Sequence, residues 1–208
     1  MSKLSIGILG LPNVGKSTLF NAITNNSIEA ENFPFCTIEP NKGIVPVPDQ
    51  RLDTLSKLSN STKVIPATIE FIDIAGLVKG ASKGEGLGNK FLANVRECSA
   101  LIHVVRCFDD ENVVHVGECV SPRHDISVIN TELALADLET AERAIQRAQK
   151  AAKSHDTKSI SLVSLLETVI SHLDNAQPVR SLQLGREELQ LIRSFNLLTL
   201  KPMMYVAN

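Results

Sequence analysis

The sequence predicts an α/β fold: a doubly wound, mostly parallel sheet with an inserted antiparallel pair of long α-helices. Three observations carry that expectation. Short apolar stretches rich in β-branched residues alternate with stretches of helical spacing. A glycine-bearing loop joins the first apolar stretch to the first helix. From Thr131 onward the period changes, and apolar or small residues recur at alternating spacings of 3 and 4. Strand–helix alternation builds a parallel sheet covered on both faces. The change of period marks a segment outside that alternation.

The first strand is Leu4-Ser-Ile-Gly-Ile-Leu9, and helical spacing resumes in Thr18-Leu-Phe-Asn-Ala-Ile23. Between them lies Gly10-Leu-Pro-Asn-Val-Gly15-Lys16-Ser17, of the form G-x-x-x-x-G-K-S/T. Strand, loop and helix in this order are the context in which such a loop cradles phosphates with its backbone N–H groups and the helix N-terminus. Lys16 then reaches the β- and γ-phosphates, and the Ser17 hydroxyl takes one Mg²⁺ position. Asn13, Val14, Gly15, Lys16, Ser17 and Thr18 are therefore candidate nucleotide-binding residues, with Lys16 also catalytic. Residues 42–48 read as an edge strand, because Pro46 and Pro48 forbid a central place. Residues 67–73, 100–106 and 202–207 read as further strands.

From Thr131 the seam runs through Ala134, Leu138, Ala141, Ile145, Ala148 and Ala152. Polar residues 153–158 interrupt it, and a second stripe follows at Leu162, Leu166, Val169 and Leu173. Two seams joined by a short polar link read as an antiparallel coiled-coil hairpin that projects as an arm. Its first helix would reach about 33 Å at 1.5 Å per residue. The alternative is two ordinary helices laid on the sheet. The expected division is a nucleotide-binding part at 1–124, the helical insertion at 125–180, and the nucleotide-binding part continued at 181–208. Asn208 follows the last strand at the point where a base-recognition loop is expected, so the natural polypeptide is expected to continue.

The bulk composition sets limits. With 208 residues and 43% hydrophobic content, the chain can bury one domain core plus an insertion. The net charge of −2 gives no global pull toward nucleic acid or anionic membrane, and composition does not argue for a local basic face. No apolar run approaches the roughly 20 residues that span a bilayer. Cys36, Cys98, Cys107 and Cys119 have no C-x-x-C spacing, which suits free thiols in a reducing cytoplasm.

Asp73-Ile-Ala-Gly76 ends the third strand and matches the D-x-x-G element of nucleotide switches. Asp73 would hold Mg²⁺ through a water, and the Gly76 N–H would meet the γ-phosphate. Thr37, in Asn32-Phe-Pro-Phe-Cys-Thr37-Ile-Glu-Pro-Asn41, is the candidate second hydroxyl ligand for Mg²⁺. Lys79, Gly80, Lys83, Gly84, Gly86 and Gly88 read as a second switch that nucleotide or partner orders. Leu77 stands where switch GTPases carry a water-orienting glutamine. His115 is the candidate replacement, since a near-neutral imidazole can orient water. His103 reads as a core residue, and His124, His155 and His172 as surface residues.

These motifs, in this order, resemble the Obg-related translation-factor GTPases. Gly84-Glu-Gly-Leu-Gly88, Asn130-Thr-Glu-Leu133, Asp137-Leu-Glu-Thr140 and the ending Leu198-Thr-Leu-Lys-Pro-Met-Met-Tyr-Val-Ala-Asn208 narrow the resemblance to the YchF family of P-loop NTPases. The resemblance implies a Ras-like nucleotide domain, a coiled-coil arm and a C-terminal TGS domain absent from these 208 residues. It implies a ribosomal partner, on the large subunit. It also implies ATP accepted at least as well as GTP, through a base-recognition motif of which only Asn208 is present. Asn13 resembles an asparagine that accompanies potassium dependence in some relatives.

The expected function is a P-loop ATPase that also accepts GTP and works as a nucleotide-dependent, ribosome-binding switch in the cytoplasm. Neither a membrane nor a sequence-specific nucleic acid is an expected partner. Two alternatives stand beside it: a nucleotide-gated binding module with negligible hydrolysis, which Leu77 favours, and a strict GTPase.

Overall fold

A computed structural model describes residues 4–24, 41–74, 87–114, 120–153 and 156–208. Among these, β1 (Leu4–Leu9), β2 (Lys42–Pro46), β3 (Thr68–Asp73), β4 (Ala100–Val105) and β5 (Met203–Ala207) form one sheet in the order β2-β3-β1-β4-β5. β1 pairs in parallel with β3 and β4, and β4 with β5. β2 lies antiparallel to β3 at the edge, where Pro46 needs no second ladder partner. The interior strand β4 is buried from Leu101 through Val105, a continuous buried run broken in polarity only by His103 rather than an alternation.

The helices are α1 (Lys16–Thr24), α2 (Gln50–Ser59), α3 (Leu87–Glu97), α4 (Pro122–Ala152), α5 (Thr157–Asp174) and α6 (Arg186–Ile192). Asp49 caps α2 by accepting from the Arg51 N–H at 3.0 Å. One core joins Ile8, Leu9, Ile72, Leu101 and Val104 of the strands to Phe91, Leu92 and Val95 of α3. Ile129, Leu133 and Ala136 of α4 belong to the same core.

The 31 residues of α4 extend about 46 Å, well beyond the length read from the seam. The helix starts nine residues earlier, with Pro122 at its first turn, where the missing N–H is harmless. Its first half rests on the sheet, and only its second half pairs with α5. Thr131, placed by spacing at the head of the seam, is exposed, because the buried face there points at the sheet.

A second core brings Ala141, Ala144 and Ala148 of α4 against Leu166, Val169 and Leu173 of α5. Small residues on α4 let the two backbones approach closely. α5 also buries Leu165, which widens the predicted stripe. The reason is a second cover: Val179, Ile192 and Leu197 pack into this core, with Leu182, Leu184, Leu191 and Phe195 at its margin. Within residues 181–200 the chain thus gives Leu182, Leu184, Leu191, Ile192, Phe195 and Leu197 to the second core, while Leu198 belongs to the first. No described helix is long and apolar enough to cross a membrane.

A polar joint ties the two cores together. The buried Asp137 carboxylate of α4 accepts from the Leu198 N–H, the Thr199 N–H and the Thr199 hydroxyl, each at 2.7 Å. Burial pushes this carboxyl above its ordinary range, against the pull of those three donors. Two residues on, the Lys201 ammonium donates to the carbonyls of Arg96 at 3.0 Å and Cys98 at 2.5 Å, closing the C-terminus of α3.

Candidate nucleotide-binding site

The end of β1 turns into the loop at Gly10, where a Cβ would collide with the Val104 carbonyl. The loop closes into α1 at Gly15, whose φ of +96° disfavours any L side chain. The Leu19 N–H donates to the Gly15 carbonyl at 2.9 Å, the first turn of α1. Val14 is buried and anchors the loop in the sheet core, while Asn13 stands exposed at its crest with φ +61°. The amide of Asn13 donates to the Val114 carbonyl at 3.1 Å.

Lys16 is buried, and its ammonium donates to the Leu11 carbonyl at 2.7 Å, folding back across the loop. Burial holds its pKa below the ordinary lysine value, and the nearby Asp73 charge opposes that shift. An ammonium desolvated in this way is poised to exchange a single carbonyl for phosphate oxygens. Asp73 reaches the loop because its β3 position is in register with Ile8 of β1. The Ser17 hydroxyl donates to Asp73 Oδ2 at 2.7 Å. The second oxygen, Oδ1, is buried without a hydrogen-bond partner among the described residues. One hydroxyl and one carboxylate with a spare buried oxygen form a hard-oxygen donor set, which fits Mg²⁺.

The far wall comes from the end of β4 and from β5. Asn13, Gly15, Lys16, Ser17, Thr18, Phe108, Val113 and Asn208 line a cleft of about 420 Å³, within the usual range for a small-molecule site. Asn208 is braced to the loop: its Nδ2 donates to the Val14 carbonyl at 2.9 Å. Its backbone pairs with Val105 and Cys107. Thr37, Gly76 and His115 lie outside the described residues, as do Leu77 and the second-switch residues up to Gly86.

Arg106 was not singled out from sequence. It is buried, and its guanidinium donates to the carbonyls of Phe108, Asp110 and Val113 at 3.2, 3.1 and 2.8 Å. Its Cζ also sits 4.6 Å from the Phe108 ring centroid. One fork thus shapes the loop that supplies Phe108 and Val113 to the cleft and the Val114 carbonyl to Asn13. The available signal was a lone cation closing an apolar strand. His103 is buried as expected and lies 5.5 Å from the Tyr205 ring. Burial lowers its pKa to about 4, helped by the Arg180 and Lys16 charges. Cys98 is buried and its thiol is pushed up to about 11 by burial, while Cys107 is exposed.

The family model described as a 50S ribosome-binding GTPase matches residues 5–208. The Ribosome-binding ATPase YchF of Haemophilus ducreyi is 61% identical over 202 residues, covering 97% of this chain and 56% of that protein. Its counterpart in Bacillus subtilis is 52% identical over 205 residues, covering 99% of this chain and 56% of that protein. The solved structure of the Schizosaccharomyces pombe YchF GTPase superimposes with a TM-score of 0.81 at 38% identity, over 100% of this chain and 57% of that one. The chain spans about half the length of the curated relatives it matches.

Proposed function

The chain belongs to the 50S ribosome-binding GTPase family, in its YchF branch, and from that premise we propose that it is a P-loop ATPase, also accepting GTP, that switches ribosome binding with its nucleotide state. The observation that carries the reading is the meeting of Lys16, Ser17 and Asp73 at one end of a cleft closed by Phe108, Val113 and Asn208.

In this reading the loop N–H groups and Lys16 hold the β- and γ-phosphates. Ser17 and Asp73 hold Mg²⁺, with Thr37 joining when the γ-phosphate is present. The ion supplies charge neutralisation between the phosphates. Water attacks in line, and the chain contributes positioning and electrostatics rather than covalent chemistry. Gly76 senses the γ-phosphate, and His115 orients the water that Leu77 has no group to hold. Asn13 gives potassium a place beside the phosphates. The helix pair within 125–180 acts as the arm that meets the large subunit, and the working compartment is the cytoplasm.

Calorimetric titration with non-hydrolysable ATP and GTP analogues in Mg²⁺ tests the core of the proposal. ATP binding equal to or tighter than GTP binding is expected, followed by ribosome-stimulated ATP turnover that is faster in potassium than in sodium. A strong GTP preference would overturn the ATPase reading. Leu77 favours a second reading, a nucleotide-gated binding module. Its signature is tight nucleotide binding with no turnover, even on saturating ribosomes.

A further inference from the structure

We propose that residues 196–201 are the coupling joint of the switch, passing a movement of α3 to the helix pair through directed hydrogen bonds. The inference rests on the nucleotide-switch reading above and names the contacts that carry it.

The joint lies where the two cores meet. Leu197 is buried in the second core, and Leu198, next to it, in the first. α4 makes the same crossing, with Leu133 and Ala136 in the first core and Ala134 and Ala141 in the second. Apolar contact is non-directional, so it resists separation of two bodies better than it resists sliding. Hydrogen bonds have direction, and they gather at this boundary.

One side of the joint holds α3. The Asn196 side-chain amide donates to the Arg96 carbonyl at 3.1 Å, and the Lys201 ammonium donates to the same carbonyl at 3.0 Å. Lys201 also donates to the Cys98 carbonyl and to Asn196 Oδ1, which makes the two side chains one clasp. The first core already secures α3 through Phe91, Leu92 and Val95, so the clasp adds a direction rather than an anchor. In the chain α3 is the first described helix after Asp73-Ile-Ala-Gly76. A change that starts at the γ-phosphate therefore enters α3 before it enters α4.

The other side holds the helix pair, through Thr199. This residue is fully buried and uses every polar group it has. Its N–H and its hydroxyl both donate to the Asp137 carboxylate of α4. Its carbonyl accepts from Arg180 at 3.2 Å, and its hydroxyl oxygen accepts from the Val179 N–H at 3.1 Å. Val179 and Arg180 lie five and six residues past the end of α5, so the chain leaving each helix of the pair grips the same residue. Arg180 also donates to Asn130 of α4 and to the Tyr205 hydroxyl of β5, each at 3.3 Å. A buried network with every member satisfied favours one arrangement over its neighbours. Packed elements joined in this way shift as units between discrete arrangements, and a contiguous network carries the shift onward.

The test is co-sedimentation of the full chain with purified ribosomes, in ADP and in a non-hydrolysable ATP analogue. The parent is expected to show at least a fivefold difference in ribosome affinity between the two nucleotides, the usual scale of coupling between sites. Asn196→Gly/Lys201→Met opens the clasp on α3 and leaves the Asp137 network in place; glycine suits the positive φ at position 196. This variant is expected to bind both nucleotides as the parent does, with the ribosome-affinity ratio reduced to within twofold of one. By reciprocity, ribosomes should then no longer change its relative affinity for the two nucleotides. Lys201→Arg, which keeps a cationic donor, is expected to retain most of the ratio. Should the double variant melt below the assay temperature, Asn196→Gly alone is read the same way, with the ratio expected to fall at least twofold. A merely structural clasp lowers Tm and leaves the ratio at the parental value, and that result would overturn the inference while the switch reading stands. A parent that binds ribosomes equally in both nucleotides, or not at all, would overturn both.

Discussion

Asn208 and Val14 are 194 positions apart, yet the Asn208 amide donates to the Val14 carbonyl at 2.9 Å. This bond fastens the end of β5 to the phosphate loop beside its buried anchor. The same side chain occupies the space a Cβ on Gly15 would need. Asn208 therefore acts first as a brace that holds the loop in its cradle shape. Asn208→Ala removes a hydrogen bond worth about 1 kcal/mol. Nucleotide affinity is expected to fall about tenfold with the fold retained, as titration with a fluorescent ATP analogue would register. Unchanged affinity would show that the loop holds its shape without the brace.

Lys16→Ala is expected to lower turnover by about a hundredfold or more, the scale of losing one electrostatic donor at a reacting centre. Stability should hold. Burial already disfavours the Lys16 charge, and alanine is a good helix former at the start of α1. Single-turnover hydrolysis and thermal melting measure the two effects separately. Parental turnover in this variant would sink the assignment of the site.

Arg106→Lys keeps the charge but loses the planar fork that serves three carbonyls. A cost of about 2 kcal/mol is expected, lowering Tm by roughly 6 °C. Weaker nucleotide binding should accompany it, because Phe108 and Val113 lose their frame. Differential scanning calorimetry with and without nucleotide reads both, and a variant matching the parent in both would refute the clamp.

His103 makes stability pH-dependent. Its folded pKa of about 4 lies below the ordinary 6.5, because burial excludes the charged ring. Between those values the unfolded chain binds a proton that the folded chain does not. Stability therefore falls as pH drops from 6.5 toward 4, by roughly 3 kcal/mol across the window. His103→Asn should flatten that part of a urea-denaturation profile taken against pH. A slope unchanged from the parent would place the titration elsewhere.

Local sequence by itself determined the phosphate loop, the strand ends that flank it, and the edge position of β2. Each follows from short-range constraints. A glycine at a positive φ, a proline without an N–H and a carboxylate one residue past an apolar run leave their marks within a few positions. The same is true of the seam in the second half of α4, whose period is a local property of one helix.

Tertiary structure alone decided the rest. That α4 starts at Pro122 and serves two cores depends on which surface each turn meets, and heptad spacing is silent on that. Arg106 reads as an anomaly in a strand until the folded loop returns three carbonyls to its guanidinium. Asp137 meets Leu198 and Thr199 across about 60 positions, and Asn208 meets Val14 across 194. Pairings at such separations have no periodicity to betray them. The Asn208 pairing exists because a parallel sheet delivers the ends of distant strands to one edge, where a single polar side chain can complete a site begun far away in the chain; the Asp137 pairing exists because α4 packs on the turn at Leu198–Leu200.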